Sequence, residues 1–234
     1  CDQRGGMRTL LAKTPEEQAA ISNAVLGLTK MDITAHLARH AGCVLVDPIC
    51  AVPGLVDEGV LHRTTGLLIG LDASGYDTTS EGWRLSNMVP GITARRVREL
   101  GGTGAKIMVY LRADVPGANT RNIETLRRAI ADFAAEDLLL VVEFLTYALP
   151  DELPDAYAAR IPELIEGGSK LCLDAGSKVL KIPYPGTAQA CANITAMSGD
   201  VPWAVLSAGV DHATFLQQVE TSMANGASGV IAGR

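Results

Sequence analysis

The chain has 234 residues, enough for one large domain or two small ones. It is 47% hydrophobic but only 4% aromatic, so its core is expected to be aliphatic, as in a buried parallel sheet wrapped in helices. A net charge of -6 without any run of Lys or Arg argues against nucleic acid as a partner, and no apolar stretch reaches the ~18 residues of a membrane span.

Taken in chain order, short apolar runs alternate with amphipathic ones. Asp2 would end a first strand. Thr14 reads as a helix N-cap, with Pro15 at the first helical position and Glu16 and Glu17 in the first turn. His36 and His40 lie four apart on an expected helix, and no third metal ligand is near them in sequence, so no metal or other cofactor is expected. Strands are predicted over 43–47, 65–71, 105–112, 138–144, 179–182, 203–207 and 229–231. The polar stretch 75–91 reads as a long loop. A short basic helix is expected over 93–100, stopped by Gly101-Gly102. Ile123, Leu126, Ile130 and Phe133 give 122–136 a helical spacing. Further helices are expected over 155–166, ended by Gly167-Gly168, and over 211–225, ended by Gly226.

With the strand ending at Asp2, eight strands alternating with helices predict one α/β domain over 1–234, a (β/α)8 TIM barrel. A doubly wound open sheet is the alternative, weakened by the lack of a G-x-G-x-x-G turn after any strand. Both ends look cut, so the first strand and last helix are expected to be incomplete. The five cysteines, Cys1, Cys43, Cys50, Cys172 and Cys191, show no paired metal spacing. With no signal-peptide pattern visible, they suggest free thiols in a reducing cytoplasm.

Barrel enzymes place their chemistry at the C-terminal ends of the strands. Lys181 ends a short apolar run just before Pro183. Burial disfavours an ammonium, and a neutral lysine amine adds to carbonyl carbons to form Schiff bases. Period-two alternation puts Lys106, Met108, Tyr110 and Arg112 on one face of their strand. An inward Lys106 would set a second positive charge beside Lys181 and pair with Asp2. Glu143 interrupts a strand that is otherwise apolar, where a desolvated carboxyl suits proton transfer. Such charges are costly inside a barrel unless paired, so the four point to one shared polar site. Ser207, Ala208 and Gly209, with Gly233 and Arg234, follow the last two strands, where barrels often bind phosphate. Small residues there let backbone N–H groups approach an anion, and Arg234 adds a charged fork.

These residues occur in an order that resembles a known family. Asp2-Gln3-Arg4-Gly5-Gly6, Gly75-Tyr76-Asp77-Thr78-Thr79, Lys106, Glu143-Phe144-Leu145-Thr146-Tyr147, Leu180-Lys181-Ile182-Pro183, Leu206-Ser207-Ala208-Gly209 and Ala232-Gly233-Arg234 are similar to motifs of the class I tagatose-1,6-bisphosphate aldolases and the related sulfofructosephosphate aldolases. The resemblance runs over essentially the whole chain. It implies a (β/α)8 barrel that cleaves a ketose phosphate to dihydroxyacetone phosphate and an aldehyde without metal. It implies Lys181 as the Schiff-base lysine, Glu143 as acid/base, Asp2 and Lys106 as the charged pair beside the reacting carbons, and Gln3 as a substrate contact. Ser207, Gly209, Gly233 and Arg234 would hold the phosphate on the ketone side. Tyr110-Leu111-Arg112 is similar to the sulfosugar branch, whereas Gly75-Tyr76-Asp77-Thr78-Thr79 and Asp47-Pro48 are similar to the tagatose branch, so the distal anion is open between phosphate and sulfonate. A sulfofructosephosphate aldolase releasing sulfolactaldehyde is an alternative, and Arg112 is a candidate substrate contact. A sugar-phosphate-binding barrel without catalysis is the remaining alternative. A homo-oligomer is expected.

Overall fold

The computed structural model describes residues 2–233. Three helices come first: α1 (Gly5–Leu11), α2 (Pro15–Ala20) and α3 (Asn23–Leu37). Then follow β1 (Cys43–Val46), α4 (Val52–Asp57), β2 (Gly66–Gly70), β3 (Asp72–Thr78), β4 (Arg84–Met88), α5 (Ala94–Glu99) and β5 (Gly104–Tyr110). The chain continues through α6 (Pro116–Ala135), β6 (Leu139–Leu145), α7 (Pro154–Asp174), β7 (Leu180–Ile182), α8 (Ala188–Ser198), β8 (Trp203–Leu206), α9 (His212–Ala224) and β9 (Gly229–Ile231).

Seven of the strands form one parallel sheet in the order β1-β2-β5-β6-β7-β8-β9, so each strand pairs with the next and a helix fills most crossovers. That order is the barrel's, not the doubly wound alternative's, in which strand order reverses. The sheet curls until its two edges face one cavity. Val44, Leu45 and Val46 of β1 and Val230 and Ile231 of β9 line a space of about 740 Å³ together with Asp2 and Lys181. The expected strand ending at Asp2 falls outside the described residues except for Asp2 itself, which is not in a strand.

Alternation along the strands separates core from site. On β5, Ala105, Ile107 and Val109 are fully buried in the core that also contains Leu126 and Phe133 of α6. Lys106, Met108 and Tyr110 therefore face the other side, toward the barrel interior. Register carries this face around the sheet: Met108 pairs with Glu143, Glu143 with Lys181, and Lys181 with Ala204. Trp203 is buried, and its indole N–H donates to Thr195 Oγ1 at 2.9 Å.

Local signals behave largely as expected. Thr14 caps α2 in a full capping box: its Oγ1 accepts from the Glu17 N–H, and Glu17 accepts from the Thr14 N–H. Thr93 caps α5, and Asp211 caps α9. His36 lies in the last turn of α3, whereas His40 sits in the 3-10 turn that follows.

Two segments differ from expectation. The stretch 75–91 is not a loop: β3 and β4 form an antiparallel hairpin across most of it. Its strands are polar, β3 mostly exposed and β4 half-buried, so they carry no apolar alternation. The glycine pair Gly167-Gly168 does not end its helix either, because α7 runs on to Asp174. A Cβ on Gly168 would lie 2.3 Å from Phe144 Cε2, and one on Gly167 would lie 2.5 Å from Ala113 Cβ. Gly168 serves close approach of α7 to β6 and Gly167 close approach to the segment after β5, not termination. Gly168→Ala is therefore expected to overpack the α7–β6 contact and destabilise the fold by about 1–3 kcal/mol, measured by urea denaturation. An unchanged midpoint would mean that Phe144 has room to move.

Candidate active site

Five ionisable side chains meet inside the barrel, on the inner face of the sheet. Lys106 Nζ lies 2.6 Å from Asp72 Oδ1, 2.7 Å from Asp2 Oδ2 and 3.1 Å from Glu143 Oε2. Lys181 Nζ donates to the same Glu143 Oε2 at 2.9 Å. One carboxylate oxygen thus bridges two ammonium nitrogens. Glu143 and Lys181 are direct cross-strand neighbours, and Lys106 reaches Glu143 on the diagonal. All three are buried. Asp2, Lys106, Glu143 and Lys181, predicted to share one site, are brought together.

Asp72 is the member that sequence reading missed. It follows Leu71, the last residue predicted for its strand, and so stands at a strand end, where barrel chemistry is found. That position is the signal that could have found it. It also starts β3, so the hairpin grows directly out of the charge cluster.

The charges set one another. Burial opposes ionisation of Asp2, but Lys106 and Lys181 outweigh it and hold the carboxyl down at about 2. Burial raises Asp72, and Lys106 offsets this only in part. Burial also penalises the Lys106 ammonium, yet Glu143, Asp72 and Asp2 together push its pKa well above the ordinary lysine value. Lys106 is therefore a firmly charged post with three carboxylates on it. Its pairing with Asp2 is as the sequence suggested, and Glu143 stands between it and Lys181.

A second buried cluster fixes the segment that carries Asp2. Lys30 of α3 is fully buried and pairs with Asp47, the residue after β1. Asp47 Oδ1 accepts from the backbone N–H groups of Ile49 and Cys50 at 3.0 and 2.7 Å. Arg4 lies 3.6 Å from the same carboxylate and reaches the Asp72 carbonyl at 3.5 Å. The basic residue two positions after Asp2 is thus held between β1 and β3. Gln3 is exposed, with its amide oxygen folded back against Gly6.

Arg112 lies elsewhere in the structure's economy of charge. Nε and one NH2 proton meet Asp114 at 2.7 and 3.0 Å, and the other NH2 proton meets Glu152 Oε1 at 2.8 Å. NH1 donates to the Tyr147 carbonyl at 2.7 Å and to Glu152 Oε2. All five guanidinium donors are taken by the protein, and the side chain is fully buried. It ties the end of β5 to the loop after β6, with no donor left for a substrate. Hydrogen bonds from Arg112 hold Asp114 down at about 2 and lower Glu152 as well.

The expected phosphate loop follows β8. Ala208 and Gly209 both have left-handed backbones, at φ 46° and 79°, and the turn is closed by Val210 N–H donating to Ser207 O at 3.1 Å. A left-handed alanine is strained, and such strain gathers at ligand-binding loops. Gly233 follows β9 with φ 141°. Arg234 lies outside the described residues.

Comparison with known proteins now defines the class. The sequence profile of the DeoC/LacD family of aldolases matches residues 1–234. Tagatose 1,6-diphosphate aldolase 1 of Streptococcus pyogenes serotype M1 is 26% identical over 260 residues, covering 100% of this chain and 78% of its own. Tagatose 1,6-diphosphate aldolase of Staphylococcus aureus (strain Newman) is 28% identical over 193 residues, covering 79% of this chain and 56% of its own. Among solved structures, an archaeal fructose 1,6-bisphosphate aldolase superposes with TM-score 0.68 at 21% identity, covering 88% of this chain and 76% of its own. Another structure of an archaeal fructose-1,6-bisphosphate aldolase, with the catalytic Lys covalently bound to the carbinolamine intermediate of the substrate, gives TM-score 0.64 at 19% identity, covering 94% of this chain and 78% of its own. The chain belongs to the DeoC/LacD family of class I aldolases, which are carbon–carbon lyases. No helix among the described residues is long and apolar enough to cross a membrane.

Two outcomes follow from this geometry. Arg112→Met leaves Asp114 and Glu152 without their main partner and is expected to destabilise the protein by about 3 kcal/mol, read from chemical denaturation. A variant as stable as the parent would contradict the structural role. For Asp2, the folded pKa of about 2 lies below the ordinary 3.8, so its contribution is present above pH ~4 and is lost as pH falls through 2. Asp2→Asn should remove about 2 kcal/mol of that acid dependence, visible as a shallower loss of stability between pH 4 and 2.

Proposed function

We propose that the chain is a Schiff-base aldolase that cleaves a ketose phosphate of the tagatose 1,6-bisphosphate type to dihydroxyacetone phosphate and an aldehyde. The observation that carries this reading is the 2.9 Å contact from Lys181 Nζ to Glu143 Oε2, buried beside an ammonium already committed to carboxylates. The Streptococcus and Staphylococcus relatives are named for tagatose 1,6-diphosphate, which supports that substrate class.

In this mechanism Lys181 passes a proton to Glu143, and its free amine adds to the C2 carbonyl. Glu143 returns the proton to the new hydroxyl, which leaves as water, and a protonated imine forms. Glu143, again a carboxylate, takes the proton of the C4 hydroxyl. The C3–C4 bond breaks, its electron pair moves onto the imine, and the aldehyde departs. The resulting enamine takes the proton from Glu143 at C3, and water then hydrolyses the imine to free dihydroxyacetone phosphate and the lysine.

Glu143 suits the role because it touches both lysines. Asp2, held ionised, keeps a negative charge facing the cationic imine. Lys106 is a positioning residue that gathers the carboxylates. Ser207, Ala208, Gly209, Gly233 and Arg234 are assigned to the phosphate on the ketone side, where remote binding energy aligns C2 with Lys181. The free thiols Cys43, Cys50, Cys172 and Cys191 suit a reducing cytoplasm.

Borohydride reduction in the presence of dihydroxyacetone phosphate should trap an adduct on Lys181, located by peptide mass spectrometry. Lys181→Met should abolish turnover, a loss of at least about 10³-fold, with thermal stability retained. An adduct on Lys106 would transfer the nucleophile's role to that residue. No adduct despite measurable binding would favour the barrel that binds without catalysis.

A further inference from the structure

Arg84 stands apart from the other cations at the barrel mouth. Lys30, Lys106 and Arg112 each hold at least one carboxylate. Arg84, half-buried on β4, is joined to none among the described residues. Its guanidinium carbon lies instead 4.3, 5.1 and 5.3 Å from the ring centres of Tyr76, Tyr147 and Tyr110. The rings pack edge to face, with Tyr110 5.0 Å from Tyr76 and 6.1 Å from Tyr147. Aromatic contact steadies the charge of a guanidinium but leaves most of its in-plane N–H donors, the groups that take an oxyanion in bidentate fashion.

The cage is aligned with the charge cluster. Asp72, Lys106 and Glu143 each precede one of its tyrosines by four residues: Tyr76 on β3, Tyr110 on β5 and Tyr147 just past β6. On β5 the four residues from Lys106 to Tyr110 advance roughly 13 Å, so the Arg84 guanidinium packed on Tyr110 stands about that far above Lys106, on the side where barrels bind ligands. An extended six-carbon ketose carries its distal anion about 7 Å from C2, and a bidentate contact adds about 3 Å. Long side chains close the rest of the distance.

Position is imposed by buried backbone contacts. Asn122 Nδ2 donates to the carbonyls of Arg84 and Tyr110 at 2.8 and 2.7 Å, and its Oδ1 accepts from the Ser86 N–H at 2.9 Å. Ser86 Oγ accepts from the Tyr110 N–H at 2.9 Å. The hairpin is thereby stitched to β5 and α6, and the guanidinium is pre-organised.

We propose that Arg84, held by Tyr76, Tyr110 and Tyr147, binds the anionic group at the end of the substrate farthest from Lys181. This deepens the Schiff-base reading and rests on it. Phosphate and sulfonate share the required chemistry, a tetrahedral oxyanion on a primary carbon.

The test compares wild type with Arg84→Met on tagatose 1,6-bisphosphate and tagatose 1-phosphate. The variant should lose about 10- to 100-fold in kcat/KM on the bisphosphate, mostly through KM, and stay within about twofold on the monophosphate. Arg84→Lys should restore part of the loss. A 6-sulfonate ketose 1-phosphate run in parallel identifies which anion is preferred. Equal loss on both tagatose substrates, or no loss on either, overturns the proposal. Calorimetric binding of the same two phosphates to both proteins gives a readout that needs no turnover. If wild type forms no dihydroxyacetone phosphate adduct, the Schiff-base reading fails, and the calorimetry still decides whether Arg84 reads the distal anion.

Discussion

One ammonium gathers the centre of this protein. Lys106 holds carboxylates from the segment before α1, from the start of β3 and from β6. Three carboxylates, Glu143 buried and Asp2 and Asp72 half-buried, crowd one spot, and a cation among them makes the arrangement tolerable. Because its partners come from three parts of the chain, Lys106 fixes where the hairpin leaves the barrel and where Asp2 rests. Two further buried cations repeat the plan. Lys30 joins α3 to the end of β1 through Asp47, and Arg112 joins the end of β5 to the loop after β6. The aliphatic core on the helix side supplies burial, and these charged centres supply geometry at the mouth.

Much of this was legible in the chain, and the exceptions share a cause. Lysines and a glutamate inside apolar runs cannot be explained by solvation, so Lys106, Glu143 and Lys181 announced themselves. Asp72 did not, because an aspartate opening a polar stretch looks like any solvated turn. The hairpin was hidden for the same reason: its strands, β3 mostly exposed and β4 half-buried, carry polar residues such as Ser74, Asp77 and Ser86, so alternation had nothing to mark. Lys30 sits in a helix whose pattern does not separate faces, and its burial depends on an aspartate 17 positions away. Gly167 and Gly168 read as a stop, although Gly168 allows the ring of Phe144 to press against the helix backbone. What a single sequence withholds is pairing across distance, and each of these features is such a pairing.

Arg112 also shows how a motif and its use can part. The run Tyr110-Leu111-Arg112 looks like an anion reader, yet five protein oxygens occupy its five donors. A lysine in its place would bring three donors to those oxygens, and a glutamine two. Position 112 therefore has almost no freedom to drift, for reasons unrelated to the molecule being cleaved. A substitution at position 112 disturbs the fold first, whereas the half-buried side chains of β4 sit on a strand held largely through its backbone. Under the Arg84 proposal, the arginine that ties the strand ends together and the arginine that meets the distal anion are different residues on different elements, and one can be changed while the other is kept.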